Sequence, residues 1–200
     1  MKRKHIWVWW ASVVWWAWDR EMWGWVSRLR HYLDNHTQEG TLVYNLGISG
    51  ETTRELLKRF DIEYTARIPY IVLLSVGLND SCFFSSWAHK VELPEYEKNL
   101  FSLCSLIDTK KSIIIIVGCS DIDESKTLPW KEDRFWDKKT ATMYNETAKI
   151  FCQKNNIPFI DLTNVLSPGD IEDGLHPNAQ GHEKIFQLVK NFLIEEEYIS

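Results

Sequence analysis

The sequence lacks several features that would mark other classes of protein. Its four cysteines form no Cys-x-x-Cys pair, and their spacing matches no zinc site (Cys82, Cys104, Cys119 and Cys152). We therefore expect no bound metal and no disulfide framework. Four reduced, mostly buried thiols in a cytoplasmic protein fit this pattern better.

Basic stretches and long apolar runs are also missing. The net charge is -5, and because an acidic chain is poorly suited to a phosphate backbone, nucleic acid is not an expected partner. Basic residues 2–4 precede an apolar run over residues 6–18, which is interrupted only by Ser12 and is followed by Asp19-Arg20-Glu21. This run is shorter than the about 20 residues that span a bilayer and has no small-x-small cleavage site. We predict neither a membrane span nor a secretion signal.

Glycine is scarce and tryptophan is abundant. The 200 residues include 9 glycines, whereas about 7% is usual. They include 11 tryptophans, and seven of these lie within residues 8–26. With 44% hydrophobic and 26% charged residues the composition is otherwise that of a globular protein, and we expect one domain over residues 1–200.

Five short apolar runs alternate with five helical patterns along the chain. The runs "YIVLLSVG" and "SIIIIVG" are continuous rather than alternating, which is typical of parallel strands buried on both faces. The pattern predicts an α/β fold, a three-layer α/β/α sandwich with a five-stranded parallel sheet. The predicted strands are residues 5–9, 41–45, 70–77, 113–118 and 158–162, and the predicted helices are residues 25–33, 52–60, 94–107, 138–155 and 178–194.

Small and polar residues follow four of these strands. Ser12 comes after the first, "NLGISGET" after the second, "GLNDS" after the third and "DGLHP" after the last. Because ligands of a parallel sheet sit at the carboxyl ends of its strands, these segments are expected to meet. They supply a candidate for each group that acyl transfer to a serine requires. Each candidate alone is weak, because Asp-x-x-His pairs and Asn-containing turns are common without catalysis.

Taken together, these segments resemble the conserved blocks of the SGNH hydrolases, also called the GDSL esterase/lipase family. "NLGISGETT", "GLND" and "DGLHPNAQGH" look like the second, third and fifth blocks. Where the first block reads Gly-Asp-Ser, this chain has Trp10-Ala11-Ser12. The resemblance covers nearly the whole chain and implies the family's flavodoxin-like fold. It also implies a serine acyl hydrolase that cleaves small carboxylic esters without a metal or other cofactor.

The resemblance assigns a role to each matching residue. Ser12 would be the nucleophile, His176 the general base and then acid, and Asp173 the group that orients His176. The backbone N–H groups of Ser12 and Gly47 and the side-chain amide of Asn79 would form the oxyanion hole. Residues 82–93 and 119–135, with the aromatic residues Phe83, Phe84, Trp87, Trp130 and Trp136, are expected to line the substrate pocket.

Three tryptophans stand where the family has glycine, at Trp10, Trp16 and Trp23. Codon UGA is read as tryptophan in some genetic codes and as glycine in others. We therefore hypothesise that these printed tryptophans are glycines in the cell. Ala11, in place of the family's aspartate, cannot be explained in this way. Trp10 and Ala11 taken literally favour an alternative, a catalytically impaired binding protein on the SGNH fold. An acyltransferase on the same scaffold, with an alcohol as acceptor in place of water, is a second alternative to an esterase.

Overall fold

The computed structural model describes residues 5–36 and 41–199, except for the side chain of Trp10. The basic residues 2–4 lie outside the described part of the chain. Five strands form one parallel sheet in the order β2-β1-β3-β4-β5. Their bounds are β1 His5–Trp10, β2 Leu42–Gly47, β3 Ile71–Ser75, β4 Ile113–Val117 and β5 Phe159–Ile160. The five-stranded parallel sheet predicted from the apolar runs is confirmed.

Six helices cover the two faces of the sheet. Helix α2 packs against α6 on one face, while α3, α4 and α5 pack side by side on the other. Their bounds are α1 Ser12–Trp15, α2 Gly24–His36, α3 Thr53–Arg67, α4 Leu93–Ser105, α5 Lys138–Asn155 and α6 Ala179–Glu195, with 3-10 turns at Glu124–Lys126 and Pro168–Asp170. The arrangement is the predicted three-layer α/β/α sandwich.

The continuous apolar strands form the centre of the core. All five residues of β3 are buried, and four of the five in β4 are buried as well. In β1, Trp7 and Trp9 are fully buried, and the Trp9 ring lies 4.9 Å from that of Phe60 on α3. These two tryptophans therefore belong to the core, as the sequence pattern of a strand indicates.

Helix boundaries follow local capping chemistry. The Asn178 side chain accepts hydrogen bonds from the backbone N–H groups of Gln180 and Gly181 at the start of α6, and Asp137 accepts one from Thr140 at the start of α5. Such side chains satisfy N–H groups that a helix leaves without an internal partner. Among the described residues, no helix is long and apolar enough to cross a membrane.

The strand order places a reversal between β1 and β3. Strand β1 pairs with β2 on one side and with β3 on the other, and the chain winds outward in both directions from this point. In open parallel sheets, ligands bind in the crevice at such a reversal, at the carboxyl ends of the strands. Ser12 follows β1 and Asn79 follows β3, so both lie at this crevice.

Candidate active site

Ser12, His176 and Asp173 form a continuous chain of hydrogen bonds. Ser12 Oγ lies 2.7 Å from His176 Nε2. On the other side of the ring, His176 Nδ1 lies 2.8 Å from Asp173 Oδ2 and 3.0 Å from Oδ1. A hydroxyl, an imidazole and a carboxylate in this order can activate the hydroxyl as a nucleophile.

Ser12 occupies the tight connection between β1 and α1. Trp10, the last residue of β1, pairs with Gly47 at the end of β2. The chain then turns into a short helix that begins at Ser12, and the Ala11 carbonyl accepts the backbone N–H of Trp15 at 2.9 Å. As the first helical residue, Ser12 has no intrahelical acceptor for its own N–H. Its side chain is buried except for the face that opens onto the candidate site.

The loop that carries His176 is held by Asp173 itself. Asp173 Oδ1 accepts the backbone N–H groups of Leu175 at 3.1 Å and His176 at 3.0 Å. Gly174, which lies between Asp173 and Leu175, has φ +95°, and a Cβ at this position would lie 2.7 Å from the Thr127 methyl group. Only glycine fits this turn. The turn places the imidazole of His176 within hydrogen-bond distance of the Asp173 carboxylate.

Asp173 is stabilised in its ionised form. Partial burial raises the pKa of its carboxyl group, but hydrogen bonding and charge attraction from His176, with two backbone N–H donors, hold that pKa well below its usual value. An ionised Asp173 accepts from His176 Nδ1, which leaves Nε2 free to accept the Ser12 proton. The electrostatics therefore favour the tautomer that the chemistry requires.

The sequence-based reasoning missed one member of this network. The indole N–H of Trp18 donates to Asp173 Oδ2 at 2.9 Å. Trp18 lies 155 residues from Asp173 along the chain, on the loop between α1 and α2. No motif spacing indicates such a contact, because it depends on the path of an irregular loop.

The three proposed oxyanion donors differ in their surroundings. Ser12 and Asn79 both line a cleft at the site, and one hydrogen of the Asn79 amide donates to the Glu51 carbonyl at 2.9 Å. An amide nitrogen carries two hydrogens, so the second remains for a substrate oxygen. The backbone N–H of Gly47 instead donates to the Asn45 side chain at 3.0 Å.

The cleft beside Ser12 is small, with a volume of about 250 Å³. It is lined by Ala11, Ser12, Val13, Leu78, Asn79, Trp136, Leu175 and His176. Of the aromatic residues expected around the substrate, Trp136 lines this cleft and the Trp130 ring lies 6.0 Å from that of His176. Phe83 instead stacks with Trp87 and Phe135 away from the cleft lining.

A larger groove lies elsewhere on the molecule. It has a volume of about 1450 Å³ and lies between α2 and α6, lined by residues such as His31, Tyr32 and Phe186. It contains neither Ser12 nor His176. The candidate site is therefore identified by the arrangement of its reactive groups rather than by the size of its cavity.

The loop between Ser12 and α2 is anchored by Asp19. This buried carboxylate accepts backbone N–H groups of Glu21, Met22 and Gly24 and pairs with Arg28. Although burial opposes ionisation, these donors lower the pKa of Asp19 to about 2. Asp19 therefore stays charged and fixes the turn that leads into α2.

His182, on α6, has a structural role. Its Nδ1 accepts the backbone N–H of Trp25 at 3.3 Å, and its Nε2 lies 3.1 Å from the Ala17 carbonyl, to which it donates. Burial is the main cause that lowers the pKa of His182 to about 4. A neutral His182 thus ties α6 to the loop that carries Trp18.

The chain is similar to known proteins in sequence and in fold. The model of the GDSL-like Lipase/Acylhydrolase family matches residues 11–184. An acetylxylan esterase from Geobacillus stearothermophilus is 29% identical over 158 residues, covering 72% of this chain and 68% of that protein. An isoamyl acetate-hydrolyzing esterase from Saccharomyces cerevisiae is 25% identical over 171 residues, covering 75% and 69%. The lipase/acylhydrolase from Enterococcus faecalis has the same fold, with a TM-score of 0.77, 21% identity and 95% coverage of both chains.

Proposed function

Because the chain belongs to the GDSL-like lipase/acylhydrolase family of carboxylic ester hydrolases, we propose that it is a serine esterase for acetyl and similarly short acyl esters. The observation that carries this proposal is the hydrogen-bonded chain from Ser12 through His176 to Asp173. It opens into a small apolar cleft at the reversal point of the sheet. This is the arrangement that acyl transfer through a serine needs.

The proposed reaction begins with Ser12. His176 Nε2 takes the proton of Ser12 Oγ while the oxygen attacks the acyl carbonyl, and Asp173 stabilises the imidazolium that forms. His176 then gives this proton to the leaving alcohol, and an acyl-enzyme on Ser12 remains. A water molecule, activated by the same imidazole, releases the carboxylic acid and restores Ser12.

The oxyanion of the tetrahedral intermediate needs donors beside Ser12. We assign this role to the backbone N–H of Ser12 and to the free hydrogen of the Asn79 amide, since both residues line the cleft. The backbone N–H of Gly47 becomes a third donor only where its bond to Asn45 opens. Fixed donors of this kind stabilise the transition state by about 2.7–4 kcal/mol each.

The size of the cleft favours a short acyl group. Leu78, Trp136 and Leu175 close it with apolar side chains, and its volume of about 250 Å³ leaves little room for a long acyl chain. Both curated relatives carry acetyl esters in their names, acetylxylan and isoamyl acetate. The alcohol side of the substrate faces the open rim, where half-buried Trp130 lies.

The test is hydrolysis of p-nitrophenyl acetate, butyrate and octanoate by the protein and by its Ser12→Ala variant. We expect kcat/KM to be highest for the acetate and to fall with chain length. Ser12→Ala should lower kcat by a factor of about 10⁴–10⁶, as the loss of a serine nucleophile does in other serine hydrolases. Activity that survives in Ser12→Ala would contradict the proposal.

The same assay separates the two alternatives left open by the sequence. A folded protein that binds acetyl esters but hydrolyses none of them would be a binding protein. An acyltransferase would release p-nitrophenol faster when a primary alcohol is added as acceptor, and the acetylated alcohol would accumulate in place of acetate.

A further inference from the structure

Trp18 contacts the candidate site through its indole N–H. Asp173 Oδ1 is occupied by two backbone donors, from Leu175 and His176. Asp173 Oδ2 accepts both the imidazole of His176 at 2.8 Å and the indole N–H of Trp18 at 2.9 Å. A carboxylate has about four lone-pair sites, so this set of donors fixes the plane of the Asp173 carboxylate.

We propose that Trp18 is a positioning residue, which acts on Ser12 through Asp173 and His176. The proposal rests on the proposed function and deepens it. Without the indole, Oδ2 has no donor except His176 among the described residues. The orientation of the carboxylate then depends on the donors to Oδ1 and on His176 alone, and the imidazole is directed less firmly toward Ser12.

The backbone around Trp18 supports such a role. Trp18 has φ 64°, a left-handed conformation that is unfavourable for a bulky residue. The adjacent Asp19 is held by three backbone N–H groups and by Arg28, and the adjacent Ala17 by His182. Backbone strain of this kind persists where neighbouring contacts determine the conformation, and it is concentrated at active sites.

The test compares Trp18→Phe with the control Trp15→Phe, which removes a similarly exposed indole on α1. With p-nitrophenyl acetate, Trp18→Phe should lower kcat about tenfold with little change in KM, because a hydrogen bond to a charged group is lost. Equal kinetics for the two variants would overturn the role of Trp18.

A second measurement needs no substitution at Trp18. In protein with ¹⁵N-labelled tryptophan, the Trp18 indole N–H resonance should shift in Asp173→Ala much more than the Trp15 resonance does, because Asp173 Oδ2 accepts the Trp18 indole N–H at 2.9 Å. A Trp18 resonance that Asp173→Ala leaves unchanged would overturn the proposal. Failure of the proposed function is a separate result, because the unmodified protein would then lack Ser12-dependent hydrolysis altogether.

A different observation concerns the other tryptophans. Four of the 11 have a left-handed backbone: Trp16 (φ 91°), Trp18 (φ 64°), Trp23 (φ 60°) and Trp87 (φ 65°). Positive φ is found in only a few per cent of non-glycine residues and is an outlier for bulky ones. A residue type that takes this conformation in more than a third of its occurrences behaves as glycine does.

Trp16, Trp23 and Trp87 lack the functional contact that explains Trp18. In the part of the chain that the structure describes, no hydrogen-bond partner is seen for their indole N–H groups, and Trp23 and Trp87 are 60% and 76% exposed. Trp16 ends α1 in the left-handed conformation that glycine usually takes there. A Cβ added to Gly24 would lie 2.9 Å from Trp16 Cα, so the backbone at Trp16 and the backbone at Gly24 are in close contact.

We infer that positions 16, 23 and 87 are glycine in the cellular protein and that their codons are UGA. The resemblance to the family points to positions 10, 16 and 23. The backbone conformation supports positions 16 and 23 and adds position 87. At position 10, the argument remains that of the family's Gly-Asp-Ser block. The fully buried Trp7, Trp9 and Trp25 fill the core, and the inference does not extend to them.

The coding DNA tests this inference directly. We expect UGA at positions 16, 23 and 87 and UGG at 18 and 25, and peptides of the protein from its own cells should carry glycine at the first three. UGG at those three codons would overturn the inference.

A stability comparison tests the same inference on the protein itself. At each of the three positions, glycine should give a higher Tm than alanine by about 2–4 °C, because both remove the indole but only glycine relieves the left-handed strain. Equal melting of the glycine and alanine variants would contradict it.

Discussion

The two loops that build the candidate site differ in how well their residues suit their backbone. The segment 161–178 carries Asp173 and His176, and its special positions hold fitting residues, such as Gly174 with φ +95° and Asn178 as a helix cap. The segment 11–24 carries Ser12, yet it places tryptophan at φ 91° and φ 60°, at positions 16 and 23. In segment 161–178 the residue types suit the local backbone conformation, whereas in segment 11–24 Trp16 and Trp23 do not.

This difference locates the unusual part of the protein. Consistency between local preference and tertiary structure is the rule in natural sequences, and exceptions are expected at functional sites. Trp18 fits that exception, since its indole reaches Asp173. Trp16 and Trp23 do not fit it, and glycine at both positions would make the first loop as consistent as the second.

Among variants that keep Ser12, the largest effect is expected in the segment 161–178. Asp173→Asn should lower kcat for p-nitrophenyl acetate about 10⁴-fold, because an amide that donates to His176 Nδ1 favours the wrong tautomer. The matched control is Glu172→Gln, which removes a neighbouring exposed carboxylate and should leave kcat within about twofold. Near-equal rates for both variants would show that Asp173 only supports the loop.

The second-largest effect concerns Asn79, the proposed oxyanion donor that follows β3. Asn79→Ala should lower kcat and kcat/KM together by about 10²–10³ with p-nitrophenyl acetate, since the amide would bind the oxyanion rather than the ground-state ester. A rise in KM at constant kcat would instead mean that Asn79 binds substrate and transition state equally. Gly47 should then be examined as the main donor.

The last effect is on stability and involves His182, which ties α6 to Ala17 and Trp25. The folded-state pKa of about 4 lies below the unfolded value of about 6.5, so the unfolded state binds the extra proton between these values. Stability from neutral His182 is present above pH 6.5 and is lost as the pH falls toward 4. The expected loss is about 3 kcal/mol, at 1.36 kcal/mol per pKa unit.

Urea unfolding at several pH values measures this loss. Asp80 acts in the opposite direction, because burial raises its pKa to about 6, so the informative quantity is the difference between the protein and His182→Gln. The variant should lack the acid-side decline that His182 causes. Parallel stability curves for the two proteins between pH 4 and 6.5 would refute the assignment.

Much of the fold could be predicted from sequence, because apolar runs and helical periodicity report burial directly. The strand β4 and the helix α5 lie where their patterns indicate. Strand β5 is shorter than expected, with only Phe159 and Ile160 in the ladder, and the one-turn helix α1 was not expected. Both depend on edge pairing and loop path, which residue patterns do not encode.

Only those site residues that belong to a recognisable sequence motif could be predicted. Ser12 comes shortly after β1, Asp173 and His176 lie in a motif on the segment after β5, and the three come together in the structure. The contact from Trp18 to Asp173 and the bond from Gly47 to Asn45 depend on how loops turn in space. Those contacts decide which donors are free, and they required the structure.

The central claim is that Ser12 is the residue that becomes acylated. The most direct measurement is to treat the protein with a p-nitrophenyl phosphonate ester, which reacts with an activated serine, and to locate the adduct by peptide mass spectrometry. We predict one adduct, on Ser12, which is absent in Ser12→Ala and forms far more slowly in His176→Ala. A protein that hydrolyses p-nitrophenyl acetate but carries the adduct on another residue would contradict the account.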